Sequence, residues 1–394
     1  PDGAAWGGII GGEGQVVWYR LDEPYWQTPA KSDGRKRKQR TSLEVYDFEF
    51  GFRLDISAVA HQHLDDLTVP LLVEPVRCGE CPDCPWREHC SAILEDRHDP
   101  SLLPRIGYTH WRAFRDAGID SIEALGALQA GVAVDGVSDN ALEEARLNAL
   151  AYLGDAPLYL RPGATVDVPR ADVEVDVDME NVAAGAYLWG AYVTVRDGTP
   201  PVEPGYHSFV RWADELASDH TTEVFEEFWT WLLDLRGACW RDGRSFAAYC
   251  WFDGAENRFL RAGAADDDHA GQVETFIASH EWIDLRRWFT DHFVTGRSTS
   301  LKEVAPALGF AWSDEDPGGA MSMLWYEDAT DPTSSDEQRE ASRQRLLAYN
   351  EDDVKATLHI RDWFEANGAD VEVSLRSSGS SSRSAGTSNR TPPR

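Results

Sequence analysis

Residues 173–180 read Val-Glu-Val-Asp-Val-Asp-Met-Glu. Side chains alternate along a β-strand, so Glu174, Asp176, Asp178 and Glu180 would project from one face. Acids aligned in this way repel one another unless a cation lies among them. Hard carboxylate oxygens select Mg²⁺ or Mn²⁺ for that role. The competing reading is an inert acidic face on an acidic protein. Far downstream, residues 346–357 read LLAYNEDDVKAT. On a helix Tyr349 and Asp353 stand four apart and share a face, while Leu346, Leu347 and Val354 supply the core stripe. A surface Tyr–Asp hydrogen bond would explain that pair equally well if it stood alone. A third constellation, Cys78-x2-Cys81-x2-Cys84-x5-Cys90, packs four thiols into 13 residues. Four soft ligands at this spacing suit Zn²⁺ or an Fe–S cluster.

The chain of 394 residues is 42% hydrophobic and 11% aromatic, which excludes a wholly disordered protein and allows two or three domains. Lys plus Arg is 37 against 68 for Asp plus Glu, a formal net charge of −31. That excludes a protein whose whole surface grips nucleic acid. A local basic groove stays open, because fields are screened beyond about 8–10 Å. Five of the basic residues are lysines: Lys31, Lys36, Lys38, Lys302 and Lys355. No apolar run of about 18 residues suggests a membrane span. The chain opens on Pro1 with no apolar leader, which reads as a piece of a longer polypeptide without a signal peptide. Clustered cysteines in such a chain point to metal ligation in a reducing cytoplasm.

Several elements must position these groups. Residues 1–75 mix a strand at 14–19, a basic stretch at 31–40 and partly helical spacing over 42–64. The basic stretch reads as a solvated loop, with phosphate contact as the minority reading. Residues 76–165 hold the cysteines and a mainly helical module. Within it, 102–128 has an Ile-Gly turn, a helix, an Ala-Gly-Ile turn and Ser121 as the next N-cap. This is similar to a helix–hairpin–helix, whose Gly turns let backbone N–H groups reach phosphates; a plain helical hairpin fits equally. A Pro- and Gly-rich stretch at 155–169 marks a boundary. Beyond it the pattern predicts strands at 173–178, 186–196, 206–212 and 245–251. It predicts helices at 221–235, 254–262, 272–293, 301–308 and 337–367. Together these make an α/β sheet with helices on its faces, occupying 166–372. The Ser/Gly/Pro-rich residues 373–394 read as a disordered tail.

Acids on a first strand, an acid after a central strand and a Tyr-x-x-x-Asp on a late helix resemble the DEDD exonucleases of the ribonuclease H-like fold, in their tyrosine branch. More closely, the chain is similar to the YprB-like 3′–5′ exonuclease domain of RecB-like nucleases. The likeness also includes AYLWG at 186–190, WIDL at 282–285 and SLKEVAPALG at 300–309. It implies an α/β, ribonuclease H-like mixed sheet flanked by helices and preceded by the metal-stapled helical module, with 1–75 a remnant of a RecB-like nuclease region. Asp178 and Glu180 become first-motif ligands of two Mg²⁺ or Mn²⁺ ions, Asp353 the last ligand, and Tyr349 the residue that orients the attacking water. The second-motif acid is Glu256, with Asp253 as rival; Trp251 stands where relatives often carry Asn. Asp284 of WIDL is expected to support structure, and His280 to be an exposed bystander. Cys81, Cys84 and Cys90 resemble the three-cysteine signature of RecB- and AddB-type nucleases, which implies a 4Fe–4S cluster completed by Cys78 or by a cysteine upstream of this chain, with Zn²⁺ as the alternative. Cys239 and Cys250 read as buried apolar thiols. The implied function is 3′–5′ exonucleolytic cleavage of a single-stranded or frayed nucleic-acid end, DNA ahead of RNA. A non-catalytic nucleic-acid-binding module and a structure-selective endonuclease of DNA repair are the rivals.

Overall fold

The computed structural model describes residues 5–12, 14–29, 37–129, 131–199, 201–213, 218–264, 267–314 and 319–371. Residues 31–36 of the basic stretch and the tail expected at 373–394 lie outside them. The chain divides into two compact units, Pro1–Val76 and Arg77–Arg394. The first holds two antiparallel hairpins, β1 (Trp6–Ile10) with β2 (Val16–Arg20) and β3 (Trp26–Pro29) with β4 (Arg37–Arg40), then helix α1 (Ser42–Asp65). Thr41 and Glu44 form a reciprocal capping box at the start of α1. No α1 residue is buried, although the helix carries Tyr46, Phe48, Phe50 and Phe52.

The second unit begins with a helical module: α2 (Arg87–Asp96), α3 (Tyr108–Asp116), α4 (Ile122–Gly126) and α5 (Asp139–Tyr152). The expected turns are present. Gly107 precedes α3, Gly118 leaves it at φ +74°, and Ser121 Oγ accepts from Ala124 N at 3.2 Å to cap α4. Glycine suits the position after α3, because an L side chain there would strain the left-handed backbone. Leu103, Ile106, Phe114, Ile122, Leu125 and Leu142 form the module's own core.

A short strand pair follows, β5 (Tyr159–Leu160) with the later β11 (Phe293–Val294). The main sheet has five strands: β6 (Val173–Val182), β7 (Gly185–Val195), β8 (Gly205–Val210), β9 (Phe246–Cys250) and β10 (Trp282–Asp284). Their order across the sheet is β10-β9-β6-β7-β8. β6, β7 and β8 pair antiparallel; β9 and β10 add parallel strands on the other side of β6. The helices are α6 (Ser218–Arg241), α7 (Asp253–Gly263), α8 (Asp267–Ile277), α9 (Leu285–His292), α10 (Leu301–Ala307), α11 (Gly319–Thr330) and α12 (Asp336–Asn367). This is the mixed sheet flanked by helices that the sequence predicts. The helix expected at 272–293 is a helix, a strand and a helix instead. β10 interrupts it because Trp282–Asp284 pairs with Ala248–Cys250 of β9, and a tertiary partner overrides helical spacing.

The two faces of β6 differ. Val173, Val175 and Val177 pack with Val224, Phe228 and Leu232 of α6. The acidic face lies under α12, which runs antiparallel to the strand: Asn350 meets Asp178, and Arg361 meets Asp176 and Glu174. Arg361 is fully buried and bonds both Asp176 oxygens, one through Nη2 at 2.8 Å, and reaches Glu174 at 3.2 Å. Arg170 adds a 2.9 Å bond to Glu174. Two of the four aligned acids are therefore neutralised by arginine. Removing one partner of such a buried network leaves unpaired charge, which costs about 3–5 kcal/mol. Arg361→Leu is expected to lower the unfolding free energy of the full chain, read from a denaturant titration, by that order; an unchanged value would contradict the assignment.

Candidate metal centre and active site

Asp178 and Glu180 sit toward the end of β6, and Asp353 faces them from α12. One oxygen of each lies within 4.8 Å of the others, the one such group of three or more potential ligands among the described residues. Glu180 and Asp353 are buried and Asp178 is half-buried. Asn350 Nδ2 donates to Asp178 Oδ2 at 2.8 Å, and Tyr206 donates to Asn350 Oδ1 at 2.8 Å. Asp178 pairs with Gly190 of β7 across the sheet. A Cβ on Gly190 would stand 1.6 Å from Asn350 Oδ1, so only glycine leaves room for the amide that aims Asp178.

Asp353 receives three side-chain donors, one of them the Tyr349 hydroxyl. Lys302 Nζ of α10 forms an ion pair with it, and Trp312 Nε1 donates at 2.6 Å. The Lys302 ammonium also lies over the rings of Trp312 and Tyr349, at 4.2 and 4.4 Å from their centroids. Tyr349 is buried, its ring edge-on to Trp325. Burial, then the neighbouring acids led by Asp353, pushes the Tyr349 phenol up. It keeps its proton at neutral pH and can orient a bound water but not deprotonate one.

Electrostatics separates this end of the face from the Arg361 end. Burial, then the charges of Asp353, Glu180 and Glu256, holds Asp178 well above the ordinary carboxylate range. Glu180 is pushed up to about 8 by burial and by Asp353. Asp353 is raised by burial, against the opposing pull of Lys302. One ammonium thus faces three converging carboxylates, a donor set short of positive charge and made of hard oxygens. It fits Mg²⁺ or Mn²⁺.

Glu256 is in the first turn of α7, close enough to raise Asp178 and Glu180 but outside the 4.8 Å group. Its Oε2 is buried without a hydrogen-bond partner, and burial pushes the carboxyl up to about 8. A solitary buried carboxylate oxygen is costly unless a cation or proton serves it. The rival Asp253 opens the same helix. Asp284 caps α9 by accepting from Arg287 N at 3.0 Å, the structural part expected of it, and His280 is exposed. Trp251 is buried and donates to the Thr299 carbonyl at 3.1 Å.

The four-cysteine centre needs correcting. Cys78 and Cys81 approach to 3.8 Å between sulfurs, but no third thiol joins them within the 4.8 Å range of a ligand group. The backbone explains why. A tight turn folds Cys81 N onto Cys78 O at 3.2 Å, whereas Cys90 belongs to a separate element, α2. The structure therefore does not support the 4Fe–4S cluster on Cys78, Cys81, Cys84 and Cys90, or the zinc alternative. Cys239 and Cys250 are fully buried in the core, as expected.

Sequence reasoning passed over Asn350, Lys302, Gly190 and Trp312. Signals for three of them existed. Asn350 follows Tyr349 within YNEDDVKAT, Gly190 closes AYLWG opposite Asp178, and Lys302 is one of five lysines in the chain.

Two outcomes follow from this geometry. Gly190→Ala is expected to displace Asn350 and weaken Mn²⁺ binding about 10–100-fold, the usual cost of losing a group that orients a ligand. Calorimetric titration at unchanged melting temperature checks it, and unaltered affinity would contradict it. The second concerns pH. A Glu256 carboxyl near 8 takes up a proton on folding between about 4.5, where the unfolded group ionises, and about 8, where the folded one does. Its contribution to metal-free stability is therefore greatest below about 4.5 and falls as pH rises to about 8. Glu256→Gln should flatten that decline in a melting series in EDTA; parallel curves would refute it.

Residues 239–365 match the family model of the RNase_H superfamily. The match takes in Glu256, Lys302, Tyr349 and Asp353 and begins beyond Asp178 and Glu180. No curated protein and no solved structure matches the chain significantly. No described helix is long and apolar enough to cross a membrane. The mixed sheet with its flanking helices has a ribonuclease H-like fold, and this domain points to nuclease activity on a nucleic acid.

Proposed function

We propose that the chain is a divalent-metal-dependent 3′–5′ exonuclease of the DEDD tyrosine branch, related to the YprB-like domain of RecB-like nucleases. The observation that carries this is the convergence of Asp178, Glu180 and Asp353 from two distant segments, where the Lys302 ammonium pairs with Asp353. The motifs at 282–285, 300–309 and 349–357 support the same family. Residues 166–372 would be the exonuclease domain, 76–165 a helical module that contacts the substrate, and 1–75 a remnant of a RecB-like region.

Asp178, Glu180 and Asp353 would hold the cations, with Glu256 completing the set. When bound, a pair of divalent ions lowers the pKa of water and neutralises charge building on the phosphoryl oxygens. The chain's own groups do the rest. Asn350 fixes the Asp178 carboxylate, so that its free oxygen faces the centre. Tyr349, protonated and clamped between Lys302 and Trp325, donates to the nucleophile and sets its angle of approach, an orientation effect. Lys302 balances Asp353.

A Mg²⁺/Mn²⁺ assay on end-labelled single- and double-stranded DNA and RNA tests the reading. Mononucleotide release from the 3′ end is expected, abolished in Asp178→Ala and Asp353→Ala and lowered about 100-fold in Tyr349→Phe. Fragments rather than mononucleotides would favour the endonuclease; wild-type turnover by Asp178→Ala would sink the site.

A further inference from the structure

A cavity of about 460 Å³ opens between the helical module and the sheet domain within residues 77–394. Its wall carries four arginines, Arg77, Arg105, Arg161 and Arg286, and one acid, Glu144. Arg161 grips Glu144 through two bonds of 2.7 and 2.8 Å, and Arg105 lies 4.0 Å from the same carboxylate. That acid is therefore committed.

Arg77 and Arg286 form no ion pair among the described residues. Arg77 is held by one bond to the Leu102 carbonyl at 3.3 Å. Arg286 is held by Thr299 Oγ1 at 3.2 Å and by the Phe252 ring, 5.2 Å from its guanidinium carbon. Both keep guanidinium N–H groups unused. In a chain of net charge −31, this concavity reverses the balance, with four arginines to one acid, and that acid is already taken by Arg161. Gly107, the N-cap of α3, also lines the wall, and no side chain caps that helix. Guanidinium forks beside uncapped backbone N–H groups are the donor set that phosphate oxygens accept from.

The cavity is joined to the carboxylate centre through shared elements. Arg286 lies over Phe252, the N-cap of the helix that carries Glu256. Thr299 lines the cavity, accepts from Trp251 Nε1 and leads within three residues to Lys302. We propose that this cavity binds a phosphodiester of the nucleic-acid strand away from the bond that is cut. The proposal rests on the nuclease reading for the nature of that strand, and it names a site that the carboxylate chemistry does not require.

The test uses the full chain in EDTA, with a fluorescein-labelled oligothymidylate followed by anisotropy across a salt series. Arg77→Ala/Arg286→Ala is expected to weaken binding roughly tenfold. It should also reduce the slope of log K against log salt by about 1.4, near 0.7 for each lost single-strand contact. Gly79→Glu places a carboxylate on the same wall where an added Cβ meets nothing within 4 Å, and it should weaken binding similarly with the fold intact. Mn²⁺-dependent hydrolysis of the p-nitrophenyl ester of thymidine monophosphate, too small to span both sites, should stay unchanged in both variants. Wild-type affinity and salt slope in both variants would overturn the proposal. A wild-type chain that hydrolyses nothing, with oligonucleotide binding still lost in the variants, would overturn the nuclease reading and leave the cavity standing.

Discussion

Four carboxylates lie on one face of one buried strand, beneath one long helix, and their charge must be met from that helix and its neighbours. α12 meets it in two ways. At one end Arg361, supported by Arg170, saturates Asp176 and Glu174. At the other end α12 brings a further acid, Asp353, and an amide, Asn350, and leaves Lys302 as the single ammonium. The same strand–helix packing therefore makes a closed structural network and an open, cation-seeking centre a few residues apart. Burial that would be destabilising in an ordinary core becomes affinity for hard cations.

The surrounding fold keeps that asymmetry in place. The valine face of β6 is fixed by α6, so the strand cannot slip register without moving every acid to the apolar side. Gly190 allows α12 to approach closely enough for Asn350 to reach Asp178. α10 delivers Lys302, and Trp312, Trp325 and Tyr349 surround the ammonium and the last acid with aromatic surface. Positive charge elsewhere in the second unit is sparse relative to acid, which gives weight to the arginine-lined cavity beside α3 and α9.

Much of this was legible in the sequence, because strand alternation and helical spacing are local signals. The positions of β6 to β9 along the chain, the span of α12 and the meeting of Asp178, Glu180 and Asp353 followed from them and from the family likeness. The division of the acidic face did not, since Arg361 lies two turns beyond Asp353 and its partners are set only by the antiparallel run of α12 over β6. The single helix expected at 272–293 failed for a related reason: β10 exists because β9 offers it an edge. The cysteines misled through spacing alone. Ligand spacing is necessary for a metal centre, but the backbone must also turn each sulfur to one point, and here no three of the sulfurs meet at one.

The most direct measurement is a Mn²⁺ titration of the full chain by electron paramagnetic resonance, comparing Asp178→Asn with Asp176→Asn. The first should lose bound Mn²⁺, while the second, whose acid belongs to Arg361, retains it. Equal binding in both, or loss in Asp176→Asn alone, would contradict the division of the strand into a structural half and a metal-binding half.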